Sequence, residues 1–441
     1  MTAAPFRLLT GVLGDAPMAE IFSADRTILG WLEAEIALAE AQADAGVVSP
    51  AAAAAIRAAA RLEHIDQPAL WRDMRTVGYP ILPLVRMIDA ALPPELRGRV
   101  HYGATTQDIM DTGLALQLAA ALDRLELLLE RFGSRVAELA LEHRGTVLAA
   151  RTHAQQAVPT TLGAKLAVLL DELSRHRDRI GQLRPRVLCI SLFGAGGTSA
   201  ALGPSASAIR AAMAARLGLR TTAVPWHVAR DGIAELGQVC AGLSATCARF
   251  GREVVDLSRT EIGELAEPGG HHRGASSTMP QKANPISSEA TIGMSAVAGA
   301  LASALYRAME AGHERAAGEW QVEWEVIPQL AVLAAGGLGH AGDVAAGLEV
   351  FPETMRRNLE HGDGHVMAEA YMMRLAGELG RERAHDLVYA AVRAARERRI
   401  PLERAVGELA GGVAPISPDD YLGTVDAAID AAVALWNGGA V

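Results

Sequence analysis

A stripe of apolar residues between positions 107 and 143 constrains the fold of this chain more than any other feature. Its members follow one another at spacings of three and four: Leu114, Leu118, Leu122, Leu125, Leu129, Phe132, Val136 and Leu139. This spacing places them on one face of a continuous α-helix. Such a helix would be roughly 55 Å long at about 1.5 Å per residue. A rod of that length needs packing partners along its whole surface, so the chain is predicted to form a bundle of long helices.

The composition also favours helices, because 50% of the residues are hydrophobic while only 4% are aromatic. Much of the remainder is Ala, Leu, Glu and Arg, which are good helix formers. Further long helices are predicted at about 227–258, 285–311 and 320–349. Their apolar residues occupy more than one face, so we expect burial against other copies of the chain, with a monomeric bundle as the alternative. The predicted fold class is all-α.

Charge and cysteine content exclude several function classes. A net charge of -10 argues against a nucleic-acid or acidic-membrane partner. The three cysteines, Cys189, Cys240 and Cys247, are too few and too scattered for a disulfide framework, and no Cys/His spacing indicates zinc. The sequence offers no basic signal-peptide region and no run of about 18 uncharged apolar residues. We therefore expect a cytoplasmic protein without a membrane or nucleic-acid partner.

The first polar segment that could carry chemistry is HYGATTQDIMDTG, residues 101–113. Thr105, Thr106 and Gln107 lie where the longest helix is predicted to begin. Hydroxyl groups and free backbone N–H groups at a helix start can bind a carboxylate. Thr106 could equally serve only as a helix cap.

The second segment, RTHAQQAVPTTLGAK at 151–165, holds Arg151, His153 and Gln156 ahead of a helix predicted to begin at Pro159. A single histidine in such a position is more often structural than catalytic.

The third segment, EPGGHHRGASSTMPQKANP at 267–285, is a loop rich in Gly, Ser, His and Pro, with a helix predicted from about Pro285. It combines two hydroxyls, a cation, an amide and a helix N-terminus, which together indicate an anion site with a candidate nucleophile or base. The residues concerned are Ser276, Ser277, Lys282 and Asn284. A flexible, solvated loop is the alternative.

These three segments resemble, in order, the signature stretches of the fumarase/aspartase superfamily. Five further stretches are similar to the branch that contains 3-carboxy-cis,cis-muconate cycloisomerase: DAPMAEIFS, ILPLV, PWHVARD, GHERAAGEWQVEWEVIP and DYLG. The resemblance implies three helical domains, at 1–105, 106–350 and 351–441. It also implies a homotetramer with a twenty-helix core, in which each active site is built from three subunits.

The resemblance further implies roles for individual residues. Ser276 corresponds to a loop serine that, as an alkoxide, removes a proton α to a carboxylate, with Ser277 beside it. The residues it implies in binding a small anionic di- or tricarboxylate are His101, Thr105, Thr106, Gln107, Arg151, Gln156, Lys282, Asn284 and, near the leaving group, Arg315. Arg230 of PWHVARD is either a further substrate contact or a structural ion pair with Asp231. No metal or organic cofactor is implied.

Several residues depart from the pattern of this branch. The second segment carries histidine at His153, as fumarases do, and glutamine at Gln156, where muconate cycloisomerases usually have histidine. Glu289 lies where fumarases have a glutamate that pairs with that histidine, so we predict a catalytic His153/Glu289 pair, formed between subunits, that orients a water, amine or acid. Ala283 replaces the arginine usual in the branch, and this removes a cation beside the carboxylate-binding loop.

These departures favour a lyase that breaks a carbon–nitrogen bond in a succinate-type substrate, such as nitrosuccinate, and releases fumarate by β-elimination with Ser276 as the base. The alternative is 3-carboxy-cis,cis-muconate cycloisomerase itself, which adds a carboxylate to a double bond within one molecule. A third hypothesis is a non-catalytic protein that reuses this fold, although the intact Ser276, Lys282 and Asn284 argue against it.

Overall fold

The computed structural model describes residues 11–438, and most of them are helical. The α-helices with both ends in this range are α1 (Ala16–Ile21), α2 (Ala24–Asp44), α3 (Pro50–Ala59), α4 (Gln67–Val77), α5 (Ile81–Ala90), α6 (Thr106–Glu142), α7 (Leu162–Val187), α8 (Ala206–Leu217), α9 (Asp231–Leu257), α10 (Ile286–Ala308), α11 (Glu319–Ala346), α12 (Pro352–Glu360), α13 (Ala368–Leu379), α14 (Arg381–Arg398), α15 (Leu402–Ala410) and α16 (Val425–Trp436). Short 3-10 helices occur at Leu62–His64, Pro94–Leu96, Ala200–Ser205, His365–Met367 and Pro418–Asp420. The strands β1 (Val147–Thr152) and β2 (Gln155–Thr161) pair antiparallel, as do β3 (Leu265–Ala266) and β4 (Glu349–Val350).

The predicted long helices are confirmed. The apolar stripe lies on α6, a helix of 37 residues whose ends differ by one residue from those predicted. The helices α7, α9, α10 and α11 contain 23 to 28 residues each. Local capping sets the ends of shorter helices: the Ser23 side chain accepts from Arg26 N at the start of α2, and the Ser49 side chain accepts from Ala52 N at the start of α3.

The second motif differs from the sequence prediction, because residues 147–161 form a β-hairpin. Pro159 is buried within β2, and the helix predicted to begin there begins at Leu162. The turn consists of His153 and Ala154, both with positive φ (48° and 61°), the conformation of a tight two-residue hairpin turn. The Thr161 hydroxyl then accepts from Ala164 N and caps α7.

The chain divides into two compact units, each discontinuous in sequence. Unit 1 contains residues 1–128, 176–245 and 293–339; unit 2 contains residues 129–175, 246–292 and 340–441. The core of unit 1 includes Ile28, Leu84 and Ile190, and the core of unit 2 packs strand β1 against α13, α14 and α15. The three domain boundaries implied by the resemblance stay a prediction.

By length and composition alone, the described helix α10 is apolar enough to cross a membrane. A helix in the core of a globular protein passes the same test, and α10 lies directly after the signature loop at 267–285.

A close helix contact in unit 2 depends on the absence of a side chain at Gly133. A Cβ atom there would lie 2.2 Å from Trp436 Cη2 on α16. We predict that Gly133→Ala destabilises the protein by about 1–3 kcal/mol, because the tryptophan must leave a well-packed position. Gly181→Ala on α7 is the control: an added Cβ meets nothing within 4 Å there, so the change should be neutral or stabilising by up to about 1 kcal/mol. Thermal unfolding of the two variants measures the difference, and equal midpoints would contradict the packing argument.

Candidate active site

The first motif in unit 1 is organised around the carboxylate of Asp108, the third residue of α6. This side chain is fully buried. It accepts five hydrogen bonds, from Thr105 N at 3.0 Å, Ser191 Oγ at 3.0 Å, Phe193 N at 3.0 Å, Gly194 N at 2.9 Å and His227 Nε2 at 2.8 Å. Asp108 therefore fixes the start of the longest helix to the glycine-rich segment at 191–204 and to PWHVARD.

The charge of Asp108 is stabilised by this environment. Burial alone would raise the pKa of Asp108, but the hydrogen bond and charge of His227 and the N–H groups of Phe193 and Gly194 outweigh it. The pKa of Asp108 is therefore below its ordinary value. The glycine-rich segment thus has a structural role, since its backbone N–H groups bind a carboxylate of the protein itself.

Gln107 and Arg315 join the first motif to the loop before α11. Arg315 donates to Gln107 Oε1 at 2.9 Å, to Thr105 Oγ1 at 3.4 Å and to the Ala195 carbonyl at 3.0 Å. The Gln107 amide donates in turn to the His227 carbonyl at 2.9 Å. All these acceptors are neutral, and Arg315 forms no ion pair within residues 11–438. A half-buried cation without a carboxylate partner is suited to an anionic substrate.

The Arg230 side chain is 2% exposed, and all of its N–H donors are engaged by other groups of the protein. Its five N–H groups contact Asp111, Glu323 and the Trp226 carbonyl, and its guanidinium lies 4.8 Å from the centre of the Trp226 ring. A substrate-binding role for Arg230 stays a prediction. The geometry favours the structural ion pair, formed with Asp111 and Glu323 and not with Asp231.

In unit 2, the hairpin of the second motif is tied to the base of the signature loop by Glu264. Both oxygens of this fully buried carboxylate accept from Arg151, at 2.9 and 2.5 Å. Glu264 Oε1 also accepts from the Asn358 amide at 2.8 Å, and the Asn358 carbonyl accepts from Gln156 at 2.9 Å. Arg151 and Gln156 therefore have contacts that hold the hairpin in place, and their predicted roles in substrate binding remain untested.

His153 and Glu289 are both exposed and form no ion pair with each other within the described chain. His153 lies at the tip of the hairpin, and Glu289 lies in the first turn of α10. The predicted pairing of these residues between subunits stays a prediction.

The signature loop is closed on itself at Gly274 and Asn284. The Gly274 carbonyl accepts from both the backbone N–H and the side-chain amide of Asn284, each at 2.8 Å. Gly274 has φ +65°, and a Cβ atom there would lie 2.3 Å from the Asn284 carbonyl oxygen, so only glycine fits. Inside the loop, Ser276 Oγ accepts from Thr278 N at 3.3 Å and from Met279 N at 3.1 Å. Ser277 and Lys282 are exposed.

The N-terminus of α10, expected to offer N–H groups to a substrate anion, is occupied by Glu267. This carboxylate accepts from Ser287 N at 3.3 Å and from Ser288 N at 2.6 Å, and it pairs with Arg273 at 3.5 Å. The N–H groups of Ser287 and Ser288 are therefore bound by an anion of the protein itself, and the predicted substrate-anion site of this loop stays a prediction for Ser276, Ser277, Lys282 and Asn284.

Sequence reasoning missed four acidic residues that hold the motifs in place: in unit 1, Glu35, which contacts His101, and Asp108; in unit 2, Glu264 and Glu267. Asp108 had a readable signal, since Thr105 and an acidic residue three positions later form the pattern of a capping box. The partners of Glu264 are distant in sequence, so no local pattern reveals them. Among residues 11–438, no group of three or more His, Cys, Asp or Glu side chains is placed to hold a metal ion.

Comparison with known proteins defines the class to which this fold and site belong. Residues 14–299 match the model of the Lyase family. The chain is 44% identical over 431 residues to 3-carboxy-cis,cis-muconate cycloisomerase of Pseudomonas aeruginosa, covering 95% of this chain and 94% of the relative. It therefore belongs to the Lyase family of the fumarase/aspartase superfamily, and it is an enzyme of that superfamily.

Solved structures agree with this placement. The 3-carboxy-cis,cis-muconate lactonizing enzyme from Pseudomonas putida superposes with a TM-score of 0.92 at 38% identity, over 98% of this chain and 99% of that one. A fumarate lyase from Mesorhizobium sp. BNC1 gives a TM-score of 0.89 at 37% identity, over 96% and 98% of the two chains.

The prediction of a carbon–nitrogen lyase is wrong. Cycloisomerases match at up to 44% identity over most of the chain, and two of them superpose over nearly the whole fold. That prediction gave a few substituted positions, above all Gln156 and Ala283, more weight than the rest of the sequence. Gln156 is hydrogen-bonded to Asn358 and Ala283 is an exposed loop residue, so neither substitution alters the frame of the site.

We predict that Asp108→Asn lowers the free energy of unfolding by about 3–5 kcal/mol, because the amide cannot accept all five hydrogen bonds and leaves buried donors unpaired. A carboxyl with a lowered pKa stabilises the fold above its unfolded pKa of about 3.9, and this contribution is lost as pH falls through the folded pKa. The difference from wild type should therefore be constant from about pH 5 to 7 and shrink below about pH 4.

Asp123→Asn is the control, because this α6 residue has a 71% exposed side chain in a surface ion pair with Arg184. It should change stability by less than about 1 kcal/mol. Chemical denaturation at each pH tests both variants, and an Asp108→Asn protein as stable as wild type would refute the structural role of Asp108.

Proposed function

We propose that the enzyme is a cycloisomerase that converts 3-carboxy-cis,cis-muconate, or a closely related carboxymuconate, into a lactone. The observation that carries this proposal is the similarity to such cycloisomerases over nearly the full chain, 44% identity with one of them. The serine, lysine and asparagine of the signature loop are all present in this sequence.

The reaction is an intramolecular addition. One carboxylate oxygen of the substrate forms a bond to a carbon of a double bond, and the π electrons move to the neighbouring carbon, next to a second carboxylate. The resulting aci-carboxylate takes a proton from Ser276, which forms the new C–H bond and leaves the serine as an alkoxide. A proton from the solvent then neutralises the serine alkoxide, so that each turnover takes up one proton.

The surroundings of Ser276 support this role. Its hydroxyl oxygen accepts from two backbone N–H groups, those of Thr278 and Met279. Fixed N–H groups stabilise a developing alkoxide without any reorganisation during the reaction. A serine needs such help because its free hydroxyl group is a poor acid and a poor base at neutral pH.

Cations in both units suit a substrate with several carboxylates. Arg315 is bound only by neutral acceptors, and Lys282 forms no ion pair within residues 11–438. We assign both to substrate carboxylates, with Thr105, Thr106 and Asn284 as neutral partners. Arg151, Gln107, Gln156 and Arg230 act by holding the motifs in place.

We also propose that the enzyme is a cytoplasmic homotetramer in which three subunits contribute to each active site. The long helices expose apolar side chains that suit burial against other copies, such as Val168 at 62%, Val297 at 51% and Tyr306 at 45% exposure. His153 and Glu289, exposed in the single chain, are then available for a site completed by a neighbouring subunit.

The decisive experiment incubates the purified enzyme with 3-carboxy-cis,cis-muconate and, separately, with aspartate, nitrosuccinate, argininosuccinate and adenylosuccinate, and follows lactone and fumarate by NMR. The proposal is supported if lactone forms rapidly from 3-carboxy-cis,cis-muconate and none of the four other compounds yields fumarate. Fumarate from a substituted succinate without any lactone would overturn it.

We predict that Ser276→Ala lowers kcat by about 10²–10⁴-fold, the usual loss when a positioned proton donor is removed. The change removes one oxygen from a half-buried loop position and should leave the fold intact. Ser303→Ala, an exposed position on α10, is the control and should keep wild-type turnover. Comparable kcat values for the two variants would exclude Ser276 as the proton donor.

We further predict that Ala283→Arg lowers KM for 3-carboxy-cis,cis-muconate by about tenfold, the worth of one charge-assisted hydrogen bond. Ala283 is exposed in the signature loop, so a longer side chain has room. Ala51→Arg on α3 adds the same charge at an exposed position outside the motifs and should leave KM unchanged. Steady-state kinetics distinguishes the two, and a KM for Ala283→Arg as unchanged as that of Ala51→Arg would show that position 283 does not face the substrate.

A further inference from the structure

Two buried polar residues of α2 face the loop that opens the first motif. Glu35 is 1% exposed and Gln42 is 0% exposed, and a spacing of seven residues puts them on the same side of the helix. Glu35 Oε1 lies 2.6 Å from His101 Nδ1, and Gln42 Nε2 donates to the Tyr102 carbonyl at 2.6 Å. Burying a carboxylate in a helical core is costly unless it is paired. His101 therefore supplies the partner that the buried Glu35 carboxylate needs.

The contact fixes which side of the imidazole faces outwards. An ionised carboxylate only accepts hydrogen bonds, so Nδ1 of His101 carries the proton in this pair. The Glu35 side chain is fully buried and the His101 side chain is 19% exposed. The accessible part of the ring is therefore the edge away from Glu35, which carries Nε2. No residue within 11–438 hydrogen-bonds to this nitrogen.

The backbone conformation of His101 also indicates that contacts with α2 hold the imidazole in this orientation. His101 has φ 60°, in the left-handed region that is costly for a residue with a side chain. The Glu35 and Gln42 contacts on adjacent residues hold the loop in this conformation. Glu35 Oε2 is buried without a hydrogen-bond partner, so the carboxylate has no competing donor to weaken its interaction with His101.

The charged groups that act on His101 are both acidic. Burial lowers the pKa of His101, but the charge and hydrogen bond of Glu35 from α2 and the charge of Asp108 from α6 more than compensate. The pKa of His101 is therefore above its ordinary value. Four residues further along the chain, Thr105 accepts from Arg315. His101 therefore belongs to the same motif as a residue that contacts the Arg315 guanidinium, which has no carboxylate partner within residues 11–438.

We propose that Glu35 is a positioning residue of the active site, which keeps His101 cationic and presents its Nε2–H group to a carboxylate of the substrate. This inference rests on the proposed function for the identity of the substrate. Glu35 lies on α2, far in sequence from the three signature motifs. The proposal therefore adds a residue outside those motifs to the set that binds the substrate carboxylates.

The test is Glu35→Gln, with Glu33→Gln as the matched control. Glu33 lies on the same helix but is exposed. Glutamine can still accept from Nδ1 but no longer stabilises the cation, so the alkaline limb of the kcat/KM profile should move down by about one pH unit. KM should rise about tenfold at a pH where His101 is still cationic in wild type but neutral in the variant, and it should return towards wild type as the pH is lowered until His101 is protonated in both. In contrast, kcat should change little.

A second measurement does not depend on turnover. Titration of the enzyme labelled with ¹³C at histidine Cε1, with His101 assigned through the spectrum of His101→Gln, should give a pKa above about 6.5 in wild type and a lower one in Glu35→Gln. An ordinary pKa in the wild type would overturn the proposal, as would a Glu35→Gln profile identical to that of Glu33→Gln or a loss of activity that is equal at every pH. Failure of the enzyme to form lactone would refute the proposed function and leave the titration result standing.

Discussion

The carboxylate of Asp108 is the interaction on which the first motif depends. Five donors from three separate segments converge on it, and each of these contacts satisfies a polar group at this largely buried junction. The start of α6, the glycine-rich segment and PWHVARD are thereby held in one arrangement. Thr105 and Gln107 acquire their positions from this arrangement, and so does Arg315, which is bound to both.

Within the described residues, each of the two units contains buried acidic side chains that the protein itself binds and a cation without a carboxylate partner. Three acidic side chains near the motifs are buried and engaged by the protein: Glu35 with His101, Glu264 with Arg151 and Glu267 with the start of α10. The cations Arg315 and Lys282 have no carboxylate partner within the described residues. In each unit, buried carboxylates are therefore engaged by the protein itself, while a cation stays available to an anionic substrate.

The parts of this picture that could be predicted from the sequence are those with a local or motif-level cause. The period of the apolar stripe gave the length of α6, and the signature segments gave the family. The hairpin was missed because its tight turn uses His153 and Ala154, with none of the usual turn residues, and because Pro159 imitates a helix start. Glu264 was missed because its partners Arg151 and Asn358 meet it only in the folded chain. The prediction of a carbon–nitrogen lyase was wrong because it relied on a few substituted positions. The roles of the site residues in catalysis remain predictions.

The closure of the signature loop at Gly274 and Asn284 has a consequence for how enzymes of this kind diversify. Both ends of the segment are fixed by hydrogen bonds to one carbonyl oxygen, and Glu267 anchors the chain on the outer side. The side chains of residues 277–283 are exposed and none of them forms this clasp, so those without a role in binding can be exchanged without disturbing either end. Side chains at positions such as Gln281 and Ala283 can therefore be changed to suit another substrate without displacing the backbone that carries Ser276.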